Sequence, residues 1–131
     1  HLSVHSFPTR RSSDLAAASL ATSTVIPVKE LWNNSANKFF DALAAGKPIA
    51  INHEGWQADL IRRHRCGIVL PAENPRQASI LLSRFLRDNN AMRNAGLAAN
   101  ELGMREFSRD ILFDRLFSVL KQAYGKQNKG L

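Results

Sequence analysis

The feature that most constrains the fold is a short apolar run enclosed by residues that break secondary structure. Pro48-Ile-Ala-Ile-Asn52 follows Gly46, which stands where the end of a helix is expected. A run this short and this apolar is typical of a strand that is buried on both faces, as the strands of parallel sheets are. The residues before Gly46 carry apolar side chains at helical spacing, so the sequence predicts a helix that leads directly into a buried strand.

The same alternation continues along the chain. Three strands are predicted, within residues 16–26, 48–52 and 68–70, and residues 29–34 are expected to form a loop. Helices are predicted to start near residues 34, 55, 74, 91 and 108, and the fourth is expected to be short, from residue 91 to about residue 102. Strands that alternate with helices predict an α/β fold with a partial parallel sheet, flanked by helices and followed by a helical C-terminal end.

The composition restricts the class of protein. The 131 residues are 44% hydrophobic and 22% charged, which is ordinary for one folded domain. No stretch approaches the roughly 18 consecutive apolar residues of a membrane span. The single cysteine, Cys66, excludes an intrachain disulfide and is expected to be a small buried residue. The sequence has no Asp-x-Asp motif and no cluster of metal ligands, so no metal and no other cofactor is expected.

The net charge of +7 favours an anionic partner, which leaves nucleotides, nucleic acid and acidic lipid open. Arg62, Arg63 and Arg65 form a basic cluster near the predicted end of a helix. Cations there favour the helix dipole, and the cluster also has a functional interpretation. On that alternative, the chain is a small, basic, non-catalytic module that binds nucleic acid or an anionic membrane through these arginines.

The two ends of the chain differ from the middle. Residues 1–14, HLSVHSFPTRRSSD, have no helical or strand period and resemble a translated sequencing adapter, so we expect a non-native, disordered segment there. The native chain is then expected to continue upstream of Leu15. Residues 15–125 are predicted to form the folded domain, and residues 126–131 a disordered basic tail.

The window from Asn33 to Pro48 is the best candidate for a binding site. A polar loop that runs into a helix N-terminus presents free backbone N–H groups to an anion. Lys38 can add a positive charge for a phosphate, and Asp41, one turn further along, can accept hydrogen bonds from a ribose diol. The alternative is that Asn34 and Ser35 only cap the helix, and that the two charged residues are solvated surface groups.

A longer stretch, NSANKFFDALAAGKPIAINHEGWQADLI, resembles the C-terminal nucleotide-sugar-binding half of retaining glycosyltransferases of the GT-B fold, group 1 (family 4). The resemblance extends over residues 16–124 and includes the segments GIVLPAENP and FSRD. Its strongest part, NKFFDALAAGKP, is similar to the subgroup that uses amino-sugar donors in surface polysaccharide assembly. The resemblance implies a Rossmann-like half of a GT-B fold and, in the intact protein, hexosyltransferase-like activity. The fragment alone is expected to be inactive.

The family motif Glu-x7-Glu gives the resemblance its site residues. The second acid, which holds the ribose of the donor nucleotide, corresponds to Asp41, and main-chain amides that bind the diphosphate correspond to Asn37 and Lys38. The first acid corresponds to Asn33, so a contact with the donor sugar there depends on an amide instead of a carboxylate. The basic residues that neutralise the leaving diphosphate in relatives have no match in this chain, so no catalytic residue is assigned.

The resemblance also implies partners and a location. The donor is a nucleoside diphosphate sugar, with uridine expected and an amino sugar as a candidate, and the acceptor is a cell-surface polysaccharide or a lipid-linked molecule. The acceptor-binding half is the missing N-terminal domain, no nucleic acid is expected, and the enzyme is expected in the cytoplasm, with the inner face of the membrane as a peripheral site. Relatives fold the last helix across the other domain, so an exposed apolar stripe on that helix would mark a lost contact.

A few other residues have possible roles. His53 follows the second strand, but the sequence offers it no acid or nucleophile partner, so we expect a loop histidine instead of a general base. Trp56 and Gln57 are expected at a helix start that faces the crevice at the ends of the strands, with packing as the role of the tryptophan. Asp110 and Asp114 are expected on the solvated face of the last helix, opposite Phe113 and Phe117.

Overall fold

The computed structural model describes residues 14–26, 28–32 and 37–127, and the fold outlined here is that of these residues. Residues 14–17 are helical. The elements that follow are β1 (Ala21–Ser23), a 3₁₀ helix (Lys29–Leu31), α1 (Asn37–Ala44), β2 (Ile49–Ile51), α2 (Trp56–His64), β3 (Gly67–Val69), α3 (Pro75–Arg87), α4 (Asn89–Glu106) and α5 (Arg109–Gln127).

The three strands form one parallel sheet in the order β1-β2-β3. The central strand pairs Ile49 with Ala21 on one side and with Gly67 on the other, and all three residues of β2 are buried. A Cβ atom at Gly67 would lie 1.9 Å from the backbone oxygen of Ile49, so only glycine permits this approach of β3 to β2. The predicted α/β class, with a parallel sheet flanked by helices, is confirmed.

The core lies between the sheet and helices α1, α2 and α4. Helix α1 buries Phe39, Ala42 and Leu43 and ends at Ala44. Gly46 follows it with a φ of 61°, the left-handed conformation that the residue after a helix C-terminus often requires. The strand that follows is buried, as the sequence pattern predicted. Local signals therefore determine this helix–strand unit, and its apolar side chains form the centre of the molecule.

An aromatic cluster closes one side of this core. Phe40 stacks on Trp56 with ring centroids 6.0 Å apart, and Phe39 meets the same indole edge-on at 5.7 Å. Phe107, at the end of α4, packs against Phe40 at 5.2 Å. The predicted packing role of Trp56 is confirmed, because this ring joins α1 to the start of α2.

The N-terminal part of the fold differs from the sequence prediction. The strand predicted within residues 16–26 is limited to Ala21–Ser23, and residues 14–17 are helical instead. Alanine has the highest helix propensity, which explains why this Ala-rich stretch does not extend the strand. The predicted loop at residues 29–34 contains a 3₁₀ helix at Lys29–Leu31.

The C-terminal helices are longer than predicted. The break expected at residues 88–90 is limited to Asp88, which is extended (φ −89°, ψ 92°) and is both the C-cap of α3 and the N-cap of α4. The boundaries predicted for the fourth helix were therefore wrong, since α4 runs from Asn89 to Glu106. Helix α5 reaches Gln127, beyond the boundary predicted after residue 125, and residues 128–131 lie outside the described part.

Helix α5 leaves an apolar face open to solvent. Its N-terminal end is joined to α4, where a guanidinium nitrogen of Arg115 donates to the backbone oxygen of Glu106 at 3.2 Å. Along this helix seven large apolar side chains are 45–69% exposed: Leu112, Phe113, Leu116, Phe117, Val119, Leu120 and Tyr124. Within the described residues, no helix combines the length and the apolar character that crossing a membrane requires.

Candidate functional site

Two of the predicted site residues lie together in one cavity. Lys38 and Asp41 contribute to a cavity of about 340 Å³, and the opposite wall is formed by residues 20–22 and by residues 14, 15 and 18. Lys38 is exposed in the first turn of α1, and Asp41, one turn further along, is half-buried. The cavity thus has a cation and a carboxylate on one wall, and on the other a second carboxyl group, that of Asp14, among mainly small or apolar side chains.

The cavity lies beside β1 because α1 packs against that strand. In a β-α-β unit with parallel strands, the helix starts near the carboxyl end of the first strand and runs back along it. Lys38 is therefore nearer the carboxyl edge of the sheet than Asp41 is. Open α/β sheets bind ligands at that edge. The other residues that line this cavity (14, 15, 18 and 20–22) belong to β1 or precede it, so the cavity extends along the strand and toward its amino end.

The remaining residues of the predicted site are placed in part. Asn37 is the first residue of α1 and is exposed, so its amide belongs to the group of helix N-terminal donors that have no partner within the helix. Asn33, predicted to contact a donor sugar, and Asn34 and Ser35, predicted caps, lie outside the described residues. The site is accordingly defined by Asn37, Lys38 and Asp41.

The turn after β2 holds the segment that leads from β1 toward this site. The Asn52 side chain accepts a hydrogen bond from the backbone N–H of Val25 and donates one to the backbone oxygen of Val25, both at 2.8 Å. At the next glycine, Gly55, a Cβ atom would lie 2.6 Å from the backbone oxygen of Trp32. The turn therefore contacts the β1–α1 connection at two points, and the sequence analysis assigned no role to Asn52.

His53 and Gln57 are buried beneath this turn. The His53 side chain is 5% exposed, and its Nδ1 lies 3.0 Å from the backbone oxygen of Glu54. This agrees with a structural histidine. Gln57 is fully buried in α2, and neither of its side-chain polar atoms has a hydrogen-bond partner among the described residues. The expectation that Gln57 faces an open crevice was wrong, because the first turn of α2 turns this side chain into the core.

The basic cluster that supports the alternative function is partly neutralised. Both terminal nitrogens of the Arg62 guanidinium donate to the Glu54 carboxylate, at 2.6 and 2.7 Å. These hydrogen bonds hold the pKa of the Glu54 carboxyl below its ordinary value. Arg63 and Arg65 are exposed, and Arg65 caps the end of α2 in the left-handed conformation. Sequence analysis missed the role of Glu54, which lies eight residues before its partner and has no helical spacing to it.

The acidic residues of α5 occupy a different position from the expected one. Asp110 and Asp114 are exposed, but Phe113 and Phe117 are exposed as well. Residues three or four apart are neighbours on a helix surface, so each aspartate lies next to the phenylalanine three residues later. The expectation that the aspartates lie opposite these rings was wrong. They border the apolar face instead.

The chain's potential metal ligands are scattered. Among the described residues, no three side chains of His, Cys, Asp or Glu come together in a way that would hold a metal ion. Cys66 is fully buried, and burial raises the pKa of its thiol to about 11, so the neutral thiol is the form present at neutral pH.

Comparison with known proteins adds no assignment: no family model matches the chain, and no curated protein and no solved structure matches it either.

Proposed function

We propose that this chain is the donor-nucleotide-binding part of a retaining glycosyltransferase with a GT-B fold. On this proposal it binds a nucleoside diphosphate sugar, with uridine as the nucleoside and an amino sugar as the candidate sugar. The intact enzyme transfers the glycosyl group to a polysaccharide or lipid-linked acceptor held by an N-terminal half, in the cytoplasm and near the membrane surface. Residues 37–48, NKFFDALAAGKP, resemble the donor-binding half of these glycosyltransferases, and this resemblance suggests the function.

The observation that carries the proposal is the shared cavity of Lys38 and Asp41. Its volume of about 340 Å³ falls within the range of roughly 300–1,000 Å³ that is usual for small-ligand sites. The two charged groups are spaced by one helical turn, so a ligand that carries both a diphosphate and a diol has a partner for each. The half-buried carboxylate of Asp41 is suited to the two hydroxyls of a ribose.

The start of α1 supplies the anion-binding part of the proposed site. The N–H groups of Asn37 and Lys38 point out of the first turn, where the helix dipole is positive. The ammonium of Lys38 adds a full charge. Together these groups favour the diphosphate over a neutral ligand, and they do so without a metal ion.

The same groups explain how the site would assist transfer. In the reaction, the bond between the anomeric carbon and the diphosphate oxygen breaks, and a bond between that carbon and an acceptor hydroxyl oxygen forms. The hydroxyl proton passes to the diphosphate, which departs as the nucleoside diphosphate. Negative charge develops on the departing diphosphate, and fixed N–H dipoles and a cation stabilise it. This chain supplies that stabilisation and the ribose contact, while the acceptor belongs to the other half of the enzyme.

Isothermal titration of uridine diphosphate into the full chain tests the proposal. We expect saturable binding, and we expect Asp41→Asn to weaken it by about tenfold or more, because a hydrogen bond to a charged group contributes roughly 1.5–3 kcal/mol net. The matched control is Asp59→Asn, which removes a carboxylate from the first turn of α2 instead.

The result that would contradict the proposal is binding that Asp41→Asn and Asp59→Asn affect equally, or no binding of the nucleotide. Binding of nucleic acid or anionic vesicles that falls steeply with salt and shows no nucleotide selectivity would favour the basic module described by Arg62, Arg63 and Arg65.

A further inference from the structure

Helix α3 packs against the rest of the molecule mainly through one face. Its half-buried apolar side chains, among them Leu81, Leu82 and Phe85, recur at helical spacing, and the helix contacts α4. None of the side chains of α3 is fully buried. The face opposite these apolar residues is therefore open to solvent along the helix.

The open face of α3 is basic. Arg76, Arg84 and Arg87 are exposed, and none of the three is paired with a carboxylate of the described residues. The 13 residues of α3 include no aspartate and no glutamate. The nearest acids along the chain lie beyond the two ends of the helix: Glu73 precedes it, and the carboxylate of Asp88 is occupied with the cap of α4. The helix thus presents three positive charges without a paired acid.

An exposed apolar side chain lies among these arginines. Ile80 is 53% exposed, and it lies one helical turn after Arg76 and one turn before Arg84. Together with Arg84 and Arg87 it lines an open groove of about 730 Å³. Leu86, which is 44% exposed, borders the same face. The surface therefore combines guanidinium groups with exposed aliphatic side chains.

This combination is complementary to an anionic lipid surface. Clustered arginines are attracted by the negative potential of acidic headgroups and can form hydrogen bonds with their phosphate and carboxylate oxygens. An aliphatic side chain between them can enter the apolar boundary just below the headgroups. Single-stranded nucleic acid is less suited, because it stacks its bases on exposed aromatic rings. The one aromatic residue of α3, Phe85, is half-buried on the opposite face.

We propose that α3 is a peripheral membrane-binding helix, whose basic face lies on an anionic bilayer surface. Arg76, Arg84 and Arg87 contact the headgroups, and Ile80 inserts between them. The contact is weak and reversible, because each arginine near such a surface contributes only about fivefold to the affinity. The assignment is independent of nucleotide binding, since this face shares no residue with the Lys38–Asp41 cavity.

Cosedimentation of the full chain with vesicles tests the proposal. Vesicles with equal amounts of phosphatidylserine and phosphatidylcholine are compared with vesicles of phosphatidylcholine alone. We expect binding to the anionic vesicles only, and we expect added salt to weaken it. Arg76→Gln/Arg84→Gln is expected to weaken binding by about thirtyfold, which is about fivefold for each arginine removed. Ile80→Ser is expected to weaken it by about fivefold, because an apolar contact is lost.

The matched control is Arg63→Gln/Arg65→Gln, which removes the same charge from the end of α2 and is expected to leave the affinity within about threefold. All the substituted side chains are exposed, so the variants keep the fold, and circular dichroism checks this. Equal losses in the two double variants would overturn the proposal, as would no binding to anionic vesicles or equal binding to neutral ones. An unchanged affinity in Ile80→Ser, or tighter binding of a single-stranded oligonucleotide than of vesicles, would contradict a lipid partner and overturn it as well.

Discussion

At the scale of single residues, the side chain of Asn52 makes two hydrogen bonds to the backbone of Val25 that a neighbouring strand would normally make. β1 and β2 pair over three residues, up to Ser23 and Ile51. One residue later the Asn52 amide takes over, since it accepts from the N–H and donates to the oxygen of Val25 in the way a neighbouring strand would. This side chain holds the connection that leads to the Lys38–Asp41 cavity.

The Asn52→Ala variant is expected to lower the free energy of unfolding by about 1–3 kcal/mol, because two hydrogen bonds are lost and the Val25 N–H and oxygen are left unpaired in a half-buried place. Urea denaturation followed by fluorescence measures this. The control, Asn94→Ala, replaces an exposed residue of α4 and is expected to be neutral or slightly stabilising. Equal effects of the two variants would show that the Asn52 amide is unimportant.

The residues of the candidate site were partly accessible from the sequence. Lys38 and Asp41 were identified because helix spacing is local: one turn separates them whatever the rest of the chain does. The cavity that they share was not predicted, because its opposite wall comes from residues 14–22, and only packing of α1 against β1 brings that wall near. The prediction that Gln57 faces a crevice was wrong for the same reason, because only tertiary packing shows that its side chain is fully buried.

At the scale of secondary-structure elements, caps account for the best-predicted boundaries. Asn74 was predicted as a cap followed by proline at the first helical position, and its side chain accepts from the N–H of Gln77 at 3.0 Å. At the end of α1 the predicted glycine has the expected positive φ. These signals are reliable because a cap satisfies backbone groups within a few residues of itself.

The α3–α4 junction shows the limit of such signals. The three polar residues 88–90 were interpreted as a break, yet Asp88 alone separates the two helices, and its carboxylate accepts from the N–H of Ala91 at 2.9 Å. Asparagine tolerates helical conformation when a cap precedes it and tertiary packing continues the helix. α4 continues because its small buried residues pack against α1.

Asp88→Ala is expected to lower the free energy of unfolding by about 1 kcal/mol, the usual contribution of an N-cap. Thermal denaturation followed by circular dichroism measures the change. Asn90→Ala is the comparison: because residue 90 lies inside α4, this substitution is expected to be neutral or stabilising. If Asn90→Ala lowered the free energy of unfolding more than Asp88→Ala, the result would contradict Asp88 as the N-cap and would favour a break over residues 88–90.

At the scale of the whole molecule, the rate at which the Cys66 thiol reacts measures how often the core opens. This residue directly precedes β3 and is fully buried, and burial raises the pKa of its thiol to about 11. Both effects protect it, because a reagent needs contact with the sulfur and needs the thiolate form.

We therefore expect a thiol reagent at pH 8 to label the native chain very slowly and to label it rapidly in urea. Native labelling then requires opening of the core, so Asn52→Ala is expected to accelerate it by about tenfold for each 1.4 kcal/mol of stability that it loses. Mass spectrometry of the labelled fraction measures the rate, and free cysteine under the same conditions is the reference. Labelling of the native chain as fast as the reference would contradict the buried position of Cys66.

The sequence by itself determined the order of strands and helices around β2, the caps at Asn74 and Gly46, and the parallel α/β class. Periodicity, propensity and capping depend on neighbours within a few residues, so they can be interpreted from a single chain. Tertiary structure alone decided that Arg62 pairs with Glu54, that a cavity forms at Asp41, and that the apolar face of α5 is exposed. Burial depends on which distant surfaces meet. An apolar stripe in the sequence indicates that one face of a helix packs against another surface, but it does not indicate which surface that is.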